Sequence, residues 1–224
     1  DARMDALLWQ DARTAAARQL AFTSPQKRPL FDARLAMQSN SPDASAKAAA
    51  VAAQGGGDPG FIADRAMWFR NNNASGSARS LLAAPRRLTT VPGDTEEWYE
   101  VLLVNARAAE NDRQYSLAYA IASQVDDGLP PGTDVAGQNL GVRDDYTSLV
   151  WLAGTVALQK LRRPADAVAM FDRYSRGSRT PTTQSKGLYW AGRAAEAAGQ
   201  QDTAQGYYRR ATAFSDLYYG QPAA

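Results

Sequence analysis

The sequence predicts an all-α protein, an α-superhelix or solenoid of antiparallel helical hairpins with a TPR-like build. Three observations carry this. No segment alternates apolar and polar residues over a useful length, so almost no sheet is expected. Apolar residues recur at helical spacing along the chain, separated by short connections that imply antiparallel neighbours. Finally, a small-residue signature repeats: Ala153-Gly154 stands 38 residues before Ala191-Gly192, and Trp151 stands 38 before Tyr189. Hairpins in register at a period near forty residues mark a solenoid, whose neighbours bury a surface that one unit cannot bury alone.

The elements follow in order. Residues 2–22 are helical, with a break near Gln10-Asp11, and residues 25–38 form the next helix. Ser41-Pro42 reads as an N-cap and first-turn pair for residues 42–54, which Gly55-Gly56-Gly57 stop. Residues 58–73 and 77–84 give two more helices. Asp94 with Glu97 forms a capping box ahead of Trp98, and Asn111-Asp112 turns the chain into a helix bearing Tyr115, Leu117, Tyr119 and Ile121. Arg162-Arg163 breaks the helix before Pro164, which suits the first turn of a return helix. Residues 189–200 are an alanine-rich helix closed by Gly199 as a C′ residue, and Asp202 is placed to cap the helix over 202–214. An interior glycine costs roughly 0.5–1 kcal/mol against alanine, so Gly192 implies close backbone approach by a second helix.

The expected organisation is one superhelical domain over residues 1–224. It comprises N-terminal hairpins over 1–93, a middle hairpin over 94–127, a long loop over 128–143 and a C-terminal pair of hairpins over 144–221.

Composition narrows the chemistry. With 25 basic and 23 acidic side chains the net charge is +2, which gives no electrostatic reason to expect nucleic acid or an anionic membrane. Cysteine is absent, which removes disulfides, thiolate metal sites and cysteine nucleophiles; histidine is absent too, removing the usual metal ligand and general base. A cysteine-free chain fits an oxidising compartment. No apolar run approaches the roughly 20 residues of a membrane span. The N-terminal "DARMDALLWQ" shows no signal peptide and starts in mid-helix, which suggests a mature or trimmed product.

No catalytic, cofactor-binding or metal-ligating residue is assigned. Of five glutamates, Glu96 and Glu97 sit in a helical first turn where negative charge meets the dipole, Glu100 and Glu110 read as exposed helical positions, and Glu196 is spaced to pair with Arg193. The pairs Asp126-Asp127 and Asp144-Asp145 flank the long loop and read as helix caps. Arg86-Arg87, Arg162-Arg163 and Arg209-Arg210 are too dispersed for a phosphate track. "GGGDPG" at residues 55–60 lacks the lysine of a phosphate loop and reads as a linker. Tyr207, Tyr208, Tyr218 and Tyr219, near Trp190, have the chemistry to stack on sugars, but their spacing points them at the preceding hairpin, where they fill the space that alanine leaves.

The C-terminal third carries a resemblance. Leu152 to Gly154, Tyr189 to Ala194, Gly199, Tyr207-Tyr208 and the "YGQ" at residues 219–221 resemble the superhelical region of the soluble lytic murein transglycosylases of Gram-negative bacteria. The resemblance covers roughly the last 110 residues; the first hundred match as generic helical pairs. It implies a periplasmic enzyme made of a ring-like α-superhelix and a separate lysozyme-like domain. In that family one glutamate protonates the glycosidic oxygen between N-acetylmuramic acid and N-acetylglucosamine, and the muramoyl 6-hydroxyl closes a 1,6-anhydro ring. No second carboxylate is then required, unlike the usual glycosidase pair.

The family's "ES" and "GLMQ" motifs do not occur here, and "QPAA" stands where a leucine-alanine continuation is expected. The expectation is therefore a catalytically silent region, lacking its own catalytic domain, that shapes or holds a peptidoglycan glycan strand or peptide stem, without cofactor, nucleic acid or membrane span. Two alternatives stand beside it. One is a helical-repeat module that binds partner proteins through Asn71-Asn72-Asn73 and Asn105. The other is a structural scaffold that binds no sugar.

Overall fold

The computed structural model describes residues 1–214, 216, 219 and 220. Tyr218 and Gln221, from the tyrosine cluster and the "YGQ" segment, lie outside the described residues. The described chain is all-α: thirteen α-helices, short 3-10 turns and one π segment, with no strand among the described residues. The helices are α1 (Ala2–Trp9), α2 (Arg13–Gln19), α3 (Arg28–Gln38), α4 (Ala44–Ala50), α5 (Ala52–Gly55), α6 (Pro59–Asn71), α7 (Ser75–Ala83), α8 (Thr95–Asn111), α9 (Tyr115–Ala122), α10 (Leu140–Thr155), α11 (Pro164–Arg176), α12 (Pro181–Ala197) and α13 (Gln201–Ala211). Among the described residues no helix is long and apolar enough to cross a membrane.

One turn recurs six times. Asp11, Asn40, Asn73, Arg113, Arg162 and Gly199 all have positive φ, between 48° and 74°, and each stands between two helices: α1/α2, α3/α4, α6/α7, α8/α9, α10/α11 and α12/α13. After five of them the next amide reaches back to the carbonyl five residues earlier, as in Ala12 N to Leu7 O (2.9 Å), Ser41 N to Ala36 O (2.9 Å) and Gln200 N to Ala195 O (2.9 Å). This is the Schellman closure, which satisfies carbonyls orphaned at a helix end. At Arg162 the loop is one residue wider, Arg163 N to Ala157 O (2.9 Å), because Val156–Lys160 is a π segment. Its cause lies one residue upstream: the Thr155 hydroxyl donates to the carbonyls of Trp151 and Leu152 (both 3.0 Å), competing with the helical ladder.

Several boundaries differ from the sequence reading, each for a local reason. Val51 interrupts the 42–54 helix, splitting it into α4 and α5, and the N-cap is Asp43 rather than Ser41, whose hydroxyl instead donates to the Asp43 carboxylate. The segment 128–143 holds a 3-10 turn at Val135–Gly137 and the first turn of α10, which begins at Leu140 because Asn139 Oδ1 accepts from Val142 N (2.9 Å). Asp144 and Asp145 therefore lie inside α10, past its first turn. Pro181 opens α12 upstream of the alanine-rich stretch, and Gln200 rather than Asp202 is the N-cap of α13. Asp94 Oδ1 does accept from Glu97 N (3.1 Å), and Asp58 Oδ1 does the same for Phe61 N (2.8 Å).

By their contacts the residues form two compact units, Asp1–Val101 with Asp126–Pro130 and Leu102–Val125 with Pro131–Ala224. The first is built around apolar side chains of α1 to α6, including Met4, Leu8, Leu30, Phe31, Met37 and Phe61. At its centre the side chain of Arg34, 1% exposed, donates from Nε to Asp64 Oδ2 (2.6 Å) and from Nη1 to Asp5 Oδ1 (2.5 Å), with its guanidinium 5.4 Å from the Trp9 ring centroid. Gly60 lies directly against that guanidinium, where any Cβ would collide, so residues 55–60 are no simple linker. Gln38 Nε2 completes the cradle by donating to the other Asp64 oxygen (2.8 Å). Burial pushes the Asp64 carboxyl up from its ordinary range, against the pull of the Arg34 charge.

In the second unit α10, α11, α12 and α13 pack in sequence, each on the next. A Cβ on Gly154 would come within 2.8–3.0 Å of three carbons of the Phe171 ring, and one on Gly192 within 2.5–3.0 Å of the Tyr208 ring. The Gly192 expectation is corrected accordingly: a ring from the return helix, not a second backbone, occupies the space. Close backbone approach occurs instead at Gly187, whose Cβ would lie 2.7 Å from Ser175 N and 2.8 Å from Ser175 Cα. Phe171 and the alanines Ala157, Ala167, Ala191 and Ala194 make the core, with Trp151, Trp190 and Tyr207 packed against it.

Candidate functional site

The second unit carries the most site-like surface. Helix α10 turns Leu140, Arg143, Asp144, Thr147, Ser148, Trp151 and Thr155 to one side, at the three- and four-residue spacing that lines a single helical face. Two hollows open along this face. One, of about 350 Å³, is walled by Arg143, Asp144, Thr147, Tyr174, Ser178 and Thr183 among others; the second, of about 340 Å³, is walled by Arg107, Glu110, Asn111, Trp151, Leu152 and Thr155. Ser148 lines both, so the hollows adjoin. The walls hold hydroxyls, an indole, a phenol, two carboxylates and two guanidinium groups.

Trp151, half-buried, walls the second hollow. Its ring centroid is 4.9 Å from Tyr174, 5.3 Å from Phe171 and 6.2 Å from Trp190, so packing on several sides holds the indole in one orientation. The Lys186 ammonium lies 3.5 Å from the Trp151 centroid and 5.4 Å from that of Tyr174. Desolvation lowers the Lys186 pKa and raises that of the Tyr174 phenol. The π segment begins immediately after Thr155, at the end of the groove.

The sequence candidates distribute as follows. Glu96 and Glu97 lie in the first turn of α8, where burial followed by the nearby Glu100 and Asp94 charges raises the Glu97 pKa. Glu100 is exposed, whereas Glu110 is half-buried and lines the groove, which its helical position did not reveal. Glu196 pairs with Arg193 (3.4 Å) and also accepts from the Tyr208 hydroxyl (3.1 Å). Tyr207 packs on the core that includes Phe171 of the preceding hairpin, as its spacing predicted, whereas Tyr208 fills the Gly192 notch within its own hairpin, and Tyr219 lies 5.8 Å from Tyr189.

Asp127 is engaged within the first unit, accepting from Arg86 Nε (2.6 Å) and Trp98 Nε1 (3.0 Å). The side chain of Arg86 is 3% exposed, so that arginine does not face solvent as its dispersed pair suggested. Arg162 forms a turn, Arg163 pairs with Asp166 (2.5 Å), and Arg210 covers Tyr207. Asn105 is fully buried, Asn72 bonds to Trp68 O and Asn40 Oδ1, and Asn73 forms a turn. Of the asparagines put forward for partner recognition, Asn105 is therefore inaccessible, whereas Asn71, Asn72 and Asn73 are exposed. Among the described residues no three histidine, cysteine, aspartate or glutamate side chains group as they would about a metal ion.

Sequence reasoning missed the groove itself and Lys186. The helical spacing of Asp144, Ser148, Trp151 and Thr155 was readable; the arrival of Tyr174 and Lys186 from two other helices was not. An all-α chain of turn-linked helix pairs with a polar groove walled by aromatic rings is equipped to recognise a ligand rich in hydroxyl and charged groups. No protein-family model, no curated protein and no solved structure matches the chain.

Proposed function

We propose that the chain is the superhelical region of a periplasmic soluble lytic murein transglycosylase, and that its α10 groove holds a peptidoglycan glycan strand or peptide stem. In this reading the six like-turned helix pairs are successive units of a solenoid, and cleavage of the bond between N-acetylmuramic acid and N-acetylglucosamine belongs to a lysozyme-like domain outside these residues.

The observation that carries the proposal is the placement of Trp151 and Ser148. Ser148 lines both hydroxyl-bearing hollows and Trp151 walls one of them, on the helix bearing Leu152 to Gly154, which belong to the family-like segment. Sugars offer alternating hydroxyls and an apolar ring face, which hydroxyl donors and an indole complement. The other family-like residues support the groove from behind: Gly154 receives Phe171, Gly192 receives Tyr208, and Trp190 packs against Phe171 at 6.0 Å. The protein-partner alternative loses Asn105, which is buried, and keeps the exposed Asn71, Asn72 and Asn73.

The test is co-sedimentation of the chain with purified insoluble peptidoglycan. Wild type is expected to pellet, and Ser148→Asp, at a half-exposed position, to weaken capture by about tenfold, equivalent to about 1.4 kcal/mol. Failure of the wild type to pellet, or equal capture of a folded Ser148→Asp variant, rejects the reading. Release of 1,6-anhydro products by the chain alone would reject the non-catalytic assignment.

A further inference from the structure

We infer that Lys186, held on the faces of Trp151 and Tyr174, is a receptor for the carboxylate of a ligand lying in the α10 groove. This deepens the reading above and rests on it for the location of the ligand.

The argument starts from what Lys186 touches. Its ammonium contacts the Trp151 ring at 3.5 Å and lies 5.4 Å from Tyr174, and among the described residues no hydrogen bond or ion pair to a carboxylate accompanies these contacts. Other half-exposed or exposed cations nearby are matched: Arg176 with Asp172 (2.7 Å), Arg179 with Asp134 (3.1 Å) and Arg193 with Glu196 (3.4 Å). Aromatic faces attract a cation but accept no hydrogen bond of ordinary strength, so the three N–H groups of the ammonium remain available on the side away from the rings.

Position gives the contact a use. Trp151 walls one hollow and Tyr174 the other, so the ammonium, which itself lines neither, rests on one ring from each. The hydroxyls of Thr147, Ser148 and Thr183 stand on the same walls. A cation already partly desolvated and fixed between rings loses little more water or freedom when an anion arrives, which is the condition for a preorganised charged contact. The lowered Lys186 pKa fits that desolvation. The carboxylate has two sources, a lactyl-type acid on a sugar or a free carboxylate on a peptide.

The test uses the full chain and its tryptophan fluorescence, since the ammonium lies on an indole. N-acetylmuramic acid is titrated against N-acetylglucosamine, and an acidic dipeptide against its amide. In at least one pair the carboxylate is expected to bind about tenfold tighter than its neutral counterpart. Lys186→Met, which keeps the length of the stem, is expected to erase the preference, and Lys186→Arg to retain most of it. Preference in the first pair alone identifies a sugar acid, and in the second pair alone a peptide acid. Equal affinities within both pairs, no binding of any probe, or a preference that survives in Lys186→Met overturns the inference. If the wild type still pellets with peptidoglycan in that event, only the carboxylate assignment falls; if it does not, the reading of the groove falls as well.

Discussion

The Tyr208 ring lies in the notch left by the missing Cβ of Gly192: a methyl group there would sit 2.5 Å from one ring carbon and 2.7 Å from the next. Gly154 stands in the same relation to Phe171. In both cases the glycine costs helix propensity locally and seats an aromatic ring, fully buried for Phe171 and partly buried for Tyr208, worth up to about 3 kcal/mol by area where burial is complete. Gly192→Ala and Gly154→Ala are therefore expected to destabilise by roughly 1–3 kcal/mol through overpacking, partly offset by improved propensity. Gly206→Ala in α13, where a Cβ meets nothing within 4 Å, is expected to stabilise by up to about 1 kcal/mol. Urea denaturation of the three variants checks the contrast, and equal effects at all three positions would contradict it.

Burial, then the hydrogen bond to Glu196 and its charge, pushes the Tyr208 phenol up from 10 to about 12. A raised acid binds its proton longer in the folded state than in the unfolded one. Its contribution to stability is therefore complete below pH 10 and is lost as pH climbs through the window from about 10 to about 12. Tyr119, Tyr174 and Tyr207 are shifted in the same direction, chiefly by burial. Absorbance at the tyrosinate band is expected to show a late-titrating component whose highest part Tyr208→Phe removes. A single step at the ordinary phenol value in the wild type would refute this.

The Arg34 cradle predicts an asymmetric double-mutant cycle. Arg34→Met leaves Asp64 buried without its cation and is expected to cost about 3–5 kcal/mol, whereas Arg34→Met with Asp64→Leu removes both charges and is expected to recover most of that loss. The remaining partners, Asp5 and Gln38, moderate the recovery because each donates or accepts within the same cluster. Chemical denaturation of the single and double variants decides; a double variant less stable than Arg34→Met would show that the ion pair contributes beyond compensating its own desolvation.

The left-handed turns offer a fourth measurement. A non-glycine residue at positive φ carries strain of about 1–2 kcal/mol, against a chain-entropy cost of roughly 0.5–1 kcal/mol for glycine. Arg113→Gly and Arg162→Gly are thus expected to stabilise by a few tenths to about 1 kcal/mol, and Gly199→Ala to destabilise by about 1 kcal/mol. Asn40→Gly and Asn73→Gly should change less, since asparagine tolerates this conformation. Melting temperatures give the order; stabilisation by Gly199→Ala would reverse the argument.

How much of this was legible follows from range. The helix pairs, the breaks at Asp11, Arg162 and Gly199, and the cap at Asp94 rest on atoms within about six residues of one another, so residue type and spacing suffice to place them. Errors at this level came from near-equivalent local options, such as Asp43 replacing Ser41 or Asn139 starting α10 ahead of Asp144. The repeated Ala-Gly signature announced a tight contact without saying what would fill it.

What the sequence alone determined is therefore the helical content, the positions of the turns and the lack of cysteine and histidine chemistry. Only the tertiary structure decided that rings rather than backbone occupy Gly154 and Gly192, that Arg34 is buried among carboxylates, and that Lys186 lies on Trp151 beside a groove. The reason is geometric: helix formation is encoded by neighbours in the chain, whereas contacts between helices depend on how side-chain ridges of separate segments mesh, and that fit is decided by all of the packed residues together.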